Sequence, residues 1–137
     1  VAFAIKAEVR PKDAPTLVFH AQKTMYEGKR IAAGDTIFIF DSENEGGAGL
    51  WGRGRVTSAT AVAKLPDVVR QTPRVNIAVS DVARATRALG RTNLKPFDNW
   101  DDGRPETELN FKFYRQATNK IVGLSPSAAD FLEGYFT

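Results

Sequence analysis

Five consecutive residues, Thr36 to Phe40 (TIFIF), constrain the fold of this chain more than any other stretch. A strand with one wet face alternates apolar and polar side chains. A run that is apolar almost throughout reads as buried on both faces. Gly34-Asp35 supplies the turn into this strand, and an acidic, glycine-rich loop from Asp41 to Gly49 leads out of it. With 137 residues, 42% of them hydrophobic, the chain can bury a core without a metal or a disulfide, and it reads as one domain spanning 1–137.

The other elements follow from period and punctuation. "VAFAIKAEV" alternates as a first strand, with Phe3, Ile5, Ala7 and Val9 on one face. After the Pro-broken loop "RPKDAPT", "LVFH" is a short apolar run. "AQKTMYEGKRI" then reads as a helical turn ended by Gly28. "LWGRGRVTSATAVA" reads as a long strand, "LPDVVRQTP" as a turn or short helix bounded by prolines and "RVNIAV" as a strand. Ser80 stands where an N-cap would open a helix over "DVARATRALG", with Val82, Ala85 and Leu89 as its stripe and Gly90 as its end. "LNFKFY" alternates as a strand with "NKIVGL" as its hairpin partner. Ser125 and Pro126 then start a last helix, docked by Phe131, Leu132 and Tyr135. The sum is an α+β chain of about six strands with two or three peripheral helices. Strands arrive in runs rather than in alternation with helices, which favours a mixed barrel or curled sheet over a doubly wound one.

Composition removes several chemistries. There is no cysteine, hence no Cys nucleophile and no Cys-ligated zinc. The one histidine, His20, rules out a His-rich metal site, and no metal or cofactor is expected. No apolar run approaches membrane-spanning length, and Lys6, Glu8 and Arg10 interrupt the first segment where a signal peptide stays apolar. A cytoplasmic location is expected. The net charge is only +3, but residues 52–91 hold eight basic side chains against Asp67 and Asp81, between two acidic loops. Such a polarised surface attracts nucleic acid.

"GGAGLWGRGR" contains G-x-G-x-x-G at Gly47, Gly49 and Gly52. A dinucleotide site needs a strand before these glycines and a helix after them. Here an acidic loop precedes them and alternation follows. The stretch therefore reads as loop, then strand. Leu50, Gly52, Gly54 and Val56 share one face, and Trp51, Arg53 and Arg55 the other. Glycines within a strand mark a bend or a close approach. A Trp/Arg face can stack on and neutralise a nucleic-acid strand. Tyr114, Arg115, Asn119 and Lys120 cluster at a later turn and can clamp a backbone.

"AAGDTIFIFDSENEGGAGLWGRGRVTSATAV" resembles the central segment of PUA-like domains, of the EVE and ASCH types in particular. The matching pieces are Gly34-Asp35, the apolar strand, the loop, then Trp51-Gly52 and Val56. "RVNIAV" and "NKIVGLSPSAADFL" resemble the later EVE elements more loosely. The resemblance implies a PUA-like mixed β-barrel with a pocket for a nucleobase, often a modified one, in DNA or RNA. Carried onto this chain, it nominates His20, Gln22, Lys23, Thr24, Phe40, Asp41, Ser42 and Trp51, and Trp100 is a further stacking candidate. Arg53, Arg55, Arg74, Arg115 and Lys120 are the candidate phosphate contacts. An alternative is an ASCH-type amidohydrolase of modified nucleosides, because "QKTMYEGKR" is similar to the ASCH signature. Lys23 would activate Thr24 and Glu27 would carry the proton, although Ala21 replaces the signature glycine and Glu27 lies one residue late. A protein-interaction domain is the third reading.

Overall fold

The computed structural model describes residues 2–137. Six strands close into one mixed barrel: β1 (Ala2–Ala7), β2 (Leu17–Met25), β3 (Thr36–Asp41), β4 (Gly49–Ala61), β5 (Arg74–Arg84) and β6 (Lys120–Gly123). Their order around the barrel is β1-β3-β4-β5-β2-β6. β1 runs parallel to β3, and β2 parallel to β6; the other neighbours are antiparallel. Three helices complete the chain: α1 (Arg91–Leu94), α2 (Pro105–Phe113) and α3 (Pro126–Glu133). No helix among the described residues is long and apolar enough to cross a membrane.

β3 shows why its sequence has no polar alternation. Ile37 and Ile39 point into the barrel with Phe3, Ile5, Ile77 and Val79. Phe38 and Phe40 point outward, under a second layer made by Leu94, Leu109, Phe113 and Leu132. Burying one such side chain contributes about 1.5–3 kcal/mol. The two-faced strand thus joins barrel and helices into one core. β1 keeps the expected inward face of Phe3, Ile5 and Ala7, continued by Val9. Val1, included in that first-strand reading, lies outside the described residues.

Three expected elements differ. The segment after "LVFH" is not helical: β2 continues to Met25, because Gln22 and Lys23 pair with Val75 and Arg74 of β5. Ala21 takes φ 50°, and this bulge lets the strand carry an extra residue. The segment opening at Ser80 is not a helix either. β5 runs on to Arg84 through a left-handed Asp81 (φ 57°), so that Ala83 and Arg84 pair with Arg53 and Gly52. "LNFKFY" is not a strand but the end of α2. Pro105 stands at its first position, Glu106 and Glu108 in its first turn, and Leu109 and Phe113 are one turn apart on the core side. β6 therefore pairs with β1 and β2 rather than with that segment. The last helix starts as expected, with Ser125 Oγ accepting from the Ala128 amide at 3.1 Å.

β4 is the expected long strand, but its faces are not the expected ones. Ile39 pairs with Gly52 while Phe40 pairs with Leu50, so Trp51 is the extra residue of a bulge. Trp51 turns into the barrel interior, whereas Arg53 lies over the Phe136 ring on the outside. The two do not form one stripe. Gly54 admits β5: a Cβ there would stand 2.5 Å from Val79 Cγ1 and 3.0 Å from the Ser80 carbonyl oxygen.

Candidate functional site

One polar cleft of about 480 Å³ opens where β3 ends and β6 begins. Its walls are His20 to Lys23 of β2, Asn44 and Glu45 of the 3₁₀ turn after β3, Arg74 of β5, and Ala117 to Asn119 of the loop before β6. The β2 bulge sets the first wall. The Ala21 amide donates to Asn76 Oδ1 at 2.7 Å, and the Arg74 guanidinium donates to the Ala21 carbonyl at 2.6 Å. Gln22 Nε2 donates to the His20 carbonyl at 2.9 Å. Opposite, Ser42 Oγ donates to Asn119 Oδ1 at 2.8 Å, which fixes the amide orientation. Asn44 Nδ2 donates to the Ala117 carbonyl at 2.5 Å and ties the 3₁₀ turn to the loop.

Two buried lysines hold the loop wall from behind. Lys6 Nζ donates to the Phe113 and Ala117 carbonyls at 2.8 and 3.0 Å. Lys120 Nζ donates to those of Gln116 and Thr118 at 2.9 and 3.1 Å. Both are fully buried. Desolvation lowers each from the ordinary lysine range to about 8; Glu43 partly opposes this for Lys6, and Lys6 adds to it for Lys120. Beside them, Tyr114 donates its hydroxyl to the Glu43 carboxylate at 3.0 Å. Burial, then the Glu43 charge and hydrogen bond, push its phenol well up.

A second groove, about 500 Å³, continues from the cleft and shares Lys23 and Arg74 with it. It adds Lys64 and Arg70 from the β4–β5 connection, and no carboxylate lines it. Four cations without an acid make this groove one-signed and suited to phosphate.

The nominated residues divide. His20, Gln22 and Lys23 line the cleft, Ser42 orients Asn119, and Arg74 borders both concavities. Thr24 faces away, its hydroxyl donating to the Pro73 carbonyl at 2.8 Å. Phe40 is core, 5.1 Å from the Phe113 ring. Asp41 secures the N-terminal loop, accepting from the Val9 amide at 3.3 Å and pairing with Lys12 at 2.8 Å. Trp51 is a correction: it is buried with Arg84 over its ring at 4.4 Å, so it offers no stacking surface. Trp100 is exposed but packs on Phe111 beside a separate cleft with Tyr26. Arg53 is paired with Glu133 at 2.6 Å and Arg55 with Asp81 at 3.1 Å, while Arg115 lies over Phe111. Lys120 is a second correction, since its buried ammonium is engaged by carbonyls and does not reach solvent.

The Lys23, Thr24 and Glu27 set is not assembled. Successive strand residues face opposite ways, and Glu27 pairs with Arg30 at 2.6 Å beyond the strand end. Among the described residues no three His, Asp or Glu side chains converge as a metal-binding group. Sequence reasoning missed Asn44, Glu45, Thr118, Lys64 and Arg70. Lys64 and Arg70 were visible only as part of the basic middle segment.

Barrel order, helical cover and terminal cleft define an α+β barrel of PUA-like fold. No family model matches the chain, and no curated protein does. Among solved structures, human THYN1 protein in complex with 5-methylcytosine-containing DNA superposes with a TM-score of 0.67 at 17% identity, covering 97% of this chain and 95% of that one. The DUF55 domain of human thymocyte nuclear protein 1 gives 0.63 at 15% identity, over 98% and 97%. A Pseudomonas putida protein gives 0.64 at 14%, over the whole of both chains. Agreement over nearly full length at such identities is agreement of fold.

Proposed function

We propose that this protein is a nucleic-acid-binding module that takes one nucleobase, a modified one, into the cleft between β2 and the loop before β6. The observation that carries the reading is continuity. A polar cleft sized for a small planar group runs directly into a groove of four cations and no acid. Phosphate contacts position a nucleic acid and base-edge contacts select. The groove suits the first task, and Gln22, Asn119 and Thr118 suit the second. His20 is the one ring in the cleft wall, so the flat partners for a base are its imidazole and the Arg74 guanidinium. The DNA complex of the structural neighbour THYN1 supports the same reading. The same proposal takes the module to act in the cytoplasm.

The test is a titration of labelled duplexes that differ only in one 5-methylcytosine, with the matching RNA as comparison. The modified DNA duplex should bind more tightly, and His20→Ala should weaken it by about 1–3 kcal/mol through lost stacking. Equal affinity for modified and unmodified duplexes would remove base recognition from this cleft. Absence of binding to every duplex and to the RNA would favour the protein-interaction reading.

A further inference from the structure

Three of the six exposed large apolar side chains among the described residues sit on one hairpin: Leu65, Val68 and Val69, the last fully exposed. The hairpin is the β4–β5 connection, and it is built rather than slack. The Val62 amide donates to the Arg74 carbonyl at 2.9 Å and closes its base. Gln71 braces its tip: Oε1 accepts from the Leu65 amide at 2.9 Å, and Nε2 donates to the Leu65 and Val68 carbonyls at 2.8 Å each. The chain thus spends order on holding apolar carbons in water, which costs free energy unless something covers them.

The surroundings identify the cover. Lys64 and Arg70 flank the apolar tip, and with Lys23 and Arg74 they line the acid-free groove that leads to the base cleft. Extruding a base leaves a gap in the duplex and costs a few kcal/mol of stacking. Proteins that unstack duplexes insert apolar side chains between base steps, while Lys and Arg neutralise the phosphates. The tip is a turn between two strands with no helix, whereas the interfacial segments that seat in lipid are amphipathic helices.

We propose that the hairpin is a wedge: Val68 and Val69 enter the base stack of a duplex at the position vacated by the base drawn into the cleft, while Lys64 and Arg70 hold the flanking phosphates. The proposal rests on the base-reading function above and adds a residue set, a mechanical step and a preference for double strands.

The experiment uses a duplex with one 5-methylcytosine and a neighbouring 2-aminopurine, whose fluorescence rises on unstacking. The modified strand alone and anionic phospholipid vesicles are the other probes. The double variant Val68→Ser with Val69→Ser is compared with wild type, and Gln71→Ala keeps the apolar residues but releases the brace. Wild type should raise the fluorescence. The double variant should lose that rise and about tenfold in duplex affinity, yet bind the single strand as wild type does. Gln71→Ala should fall between them. Equal losses on duplex and single strand would overturn the wedge in favour of a general contact. Unchanged DNA binding and fluorescence in the double variant would also overturn it. Loss of vesicle binding in that variant would then assign the tip to membrane, and no vesicle binding by wild type would assign it to a protein partner. If wild type fails to distinguish methylated from unmethylated duplex but the wedge signal still depends on Val68 and Val69, selection of the modified base falls and the wedge stands. If wild type binds no DNA, both fall.

Discussion

Lys6 and Lys120 are fully buried side by side with their ammonium groups spent on backbone carbonyls at and beyond the end of α2. Cations are favoured at a helix C-terminus, which offsets part of their desolvation. Burial nonetheless lowers both to about 8. The unfolded chain, with ordinary lysines near 10.4, binds more protons than the native one between these values. Stability must therefore rise with pH across that window. Tyr114 acts in the opposite sense higher up. Its phenol is raised by burial and by Glu43, so above about pH 10 the native state holds a proton that the unfolded chain has lost. Urea titrations from pH 7 to 11 should show stability climbing from about pH 8, by on the order of 1 kcal/mol or more per lysine, and turning down beyond about pH 10. Lys120→Met should flatten the climb; a climb of unchanged size in that variant would show that the lysines do not titrate in the window. None of this is legible in "AFAIKAEV", where Lys6 alternates away from Phe3, Ile5 and Ala7 as a solvated side chain would. Its cover comes from residues more than a hundred positions later.

Local pattern is a reliable guide to an element where its neighbours reinforce it, and misleads where a distant partner overrides it. "TIFIF" and the Ser125-Pro126 helix start belong to the first kind, since burial on two faces and a satisfied cap are written in adjacent residues. β5 belongs to the second. A cap-like Ser80 and a helical stripe gave way because the long β4 offers pairing partners as far as Gly52. In α2, odd-numbered Leu109, Phe111 and Phe113 imitate a strand, although Pro105 and the early acids mark a helix start. Bulges are the least legible devices, and the cleft depends on one. Ala21 sits at φ 50°, where an L-residue is strained and glycine is not. Ala21→Gly should therefore stabilise the fold by about 0.5 kcal/mol, the relief exceeding glycine's added entropy in the unfolded chain. Asn76→Ala should cost about 1–3 kcal/mol by stranding the Ala21 amide, and should weaken base binding with it. Thermal melts check both signs. A destabilising Ala21→Gly would mean that the bulge is held without strain.

At the scale of the whole molecule the closed barrel leaves no free sheet edge among the described residues, so the proposed nucleic-acid binding would use loops and concavities rather than strand addition. The sequence signalled the basic segment but not which of its cations stay available. Arg53, Arg55 and Arg84 are taken by Glu133, Asp81 and the Trp51 ring, partners that folding brings from elsewhere. Lys64, Arg70 and Arg74 remain around the groove with Lys23. A net charge of +3 therefore understates the local field, and counterion release should report the groove's four cations rather than the total. For duplex DNA the logarithm of affinity falls with the logarithm of salt by about 0.9 per phosphate neutralised. Four contacts give a slope of about −3 to −4. Arg70→Ala should reduce its magnitude by about one and weaken methylated and unmethylated duplexes alike, because a phosphate contact carries no sequence. Arg53→Ala should leave the slope unchanged. A slope near zero for wild type, or one that responds to Arg53 and not to Arg70, would move the phosphate track off the groove and onto the outer face of β4.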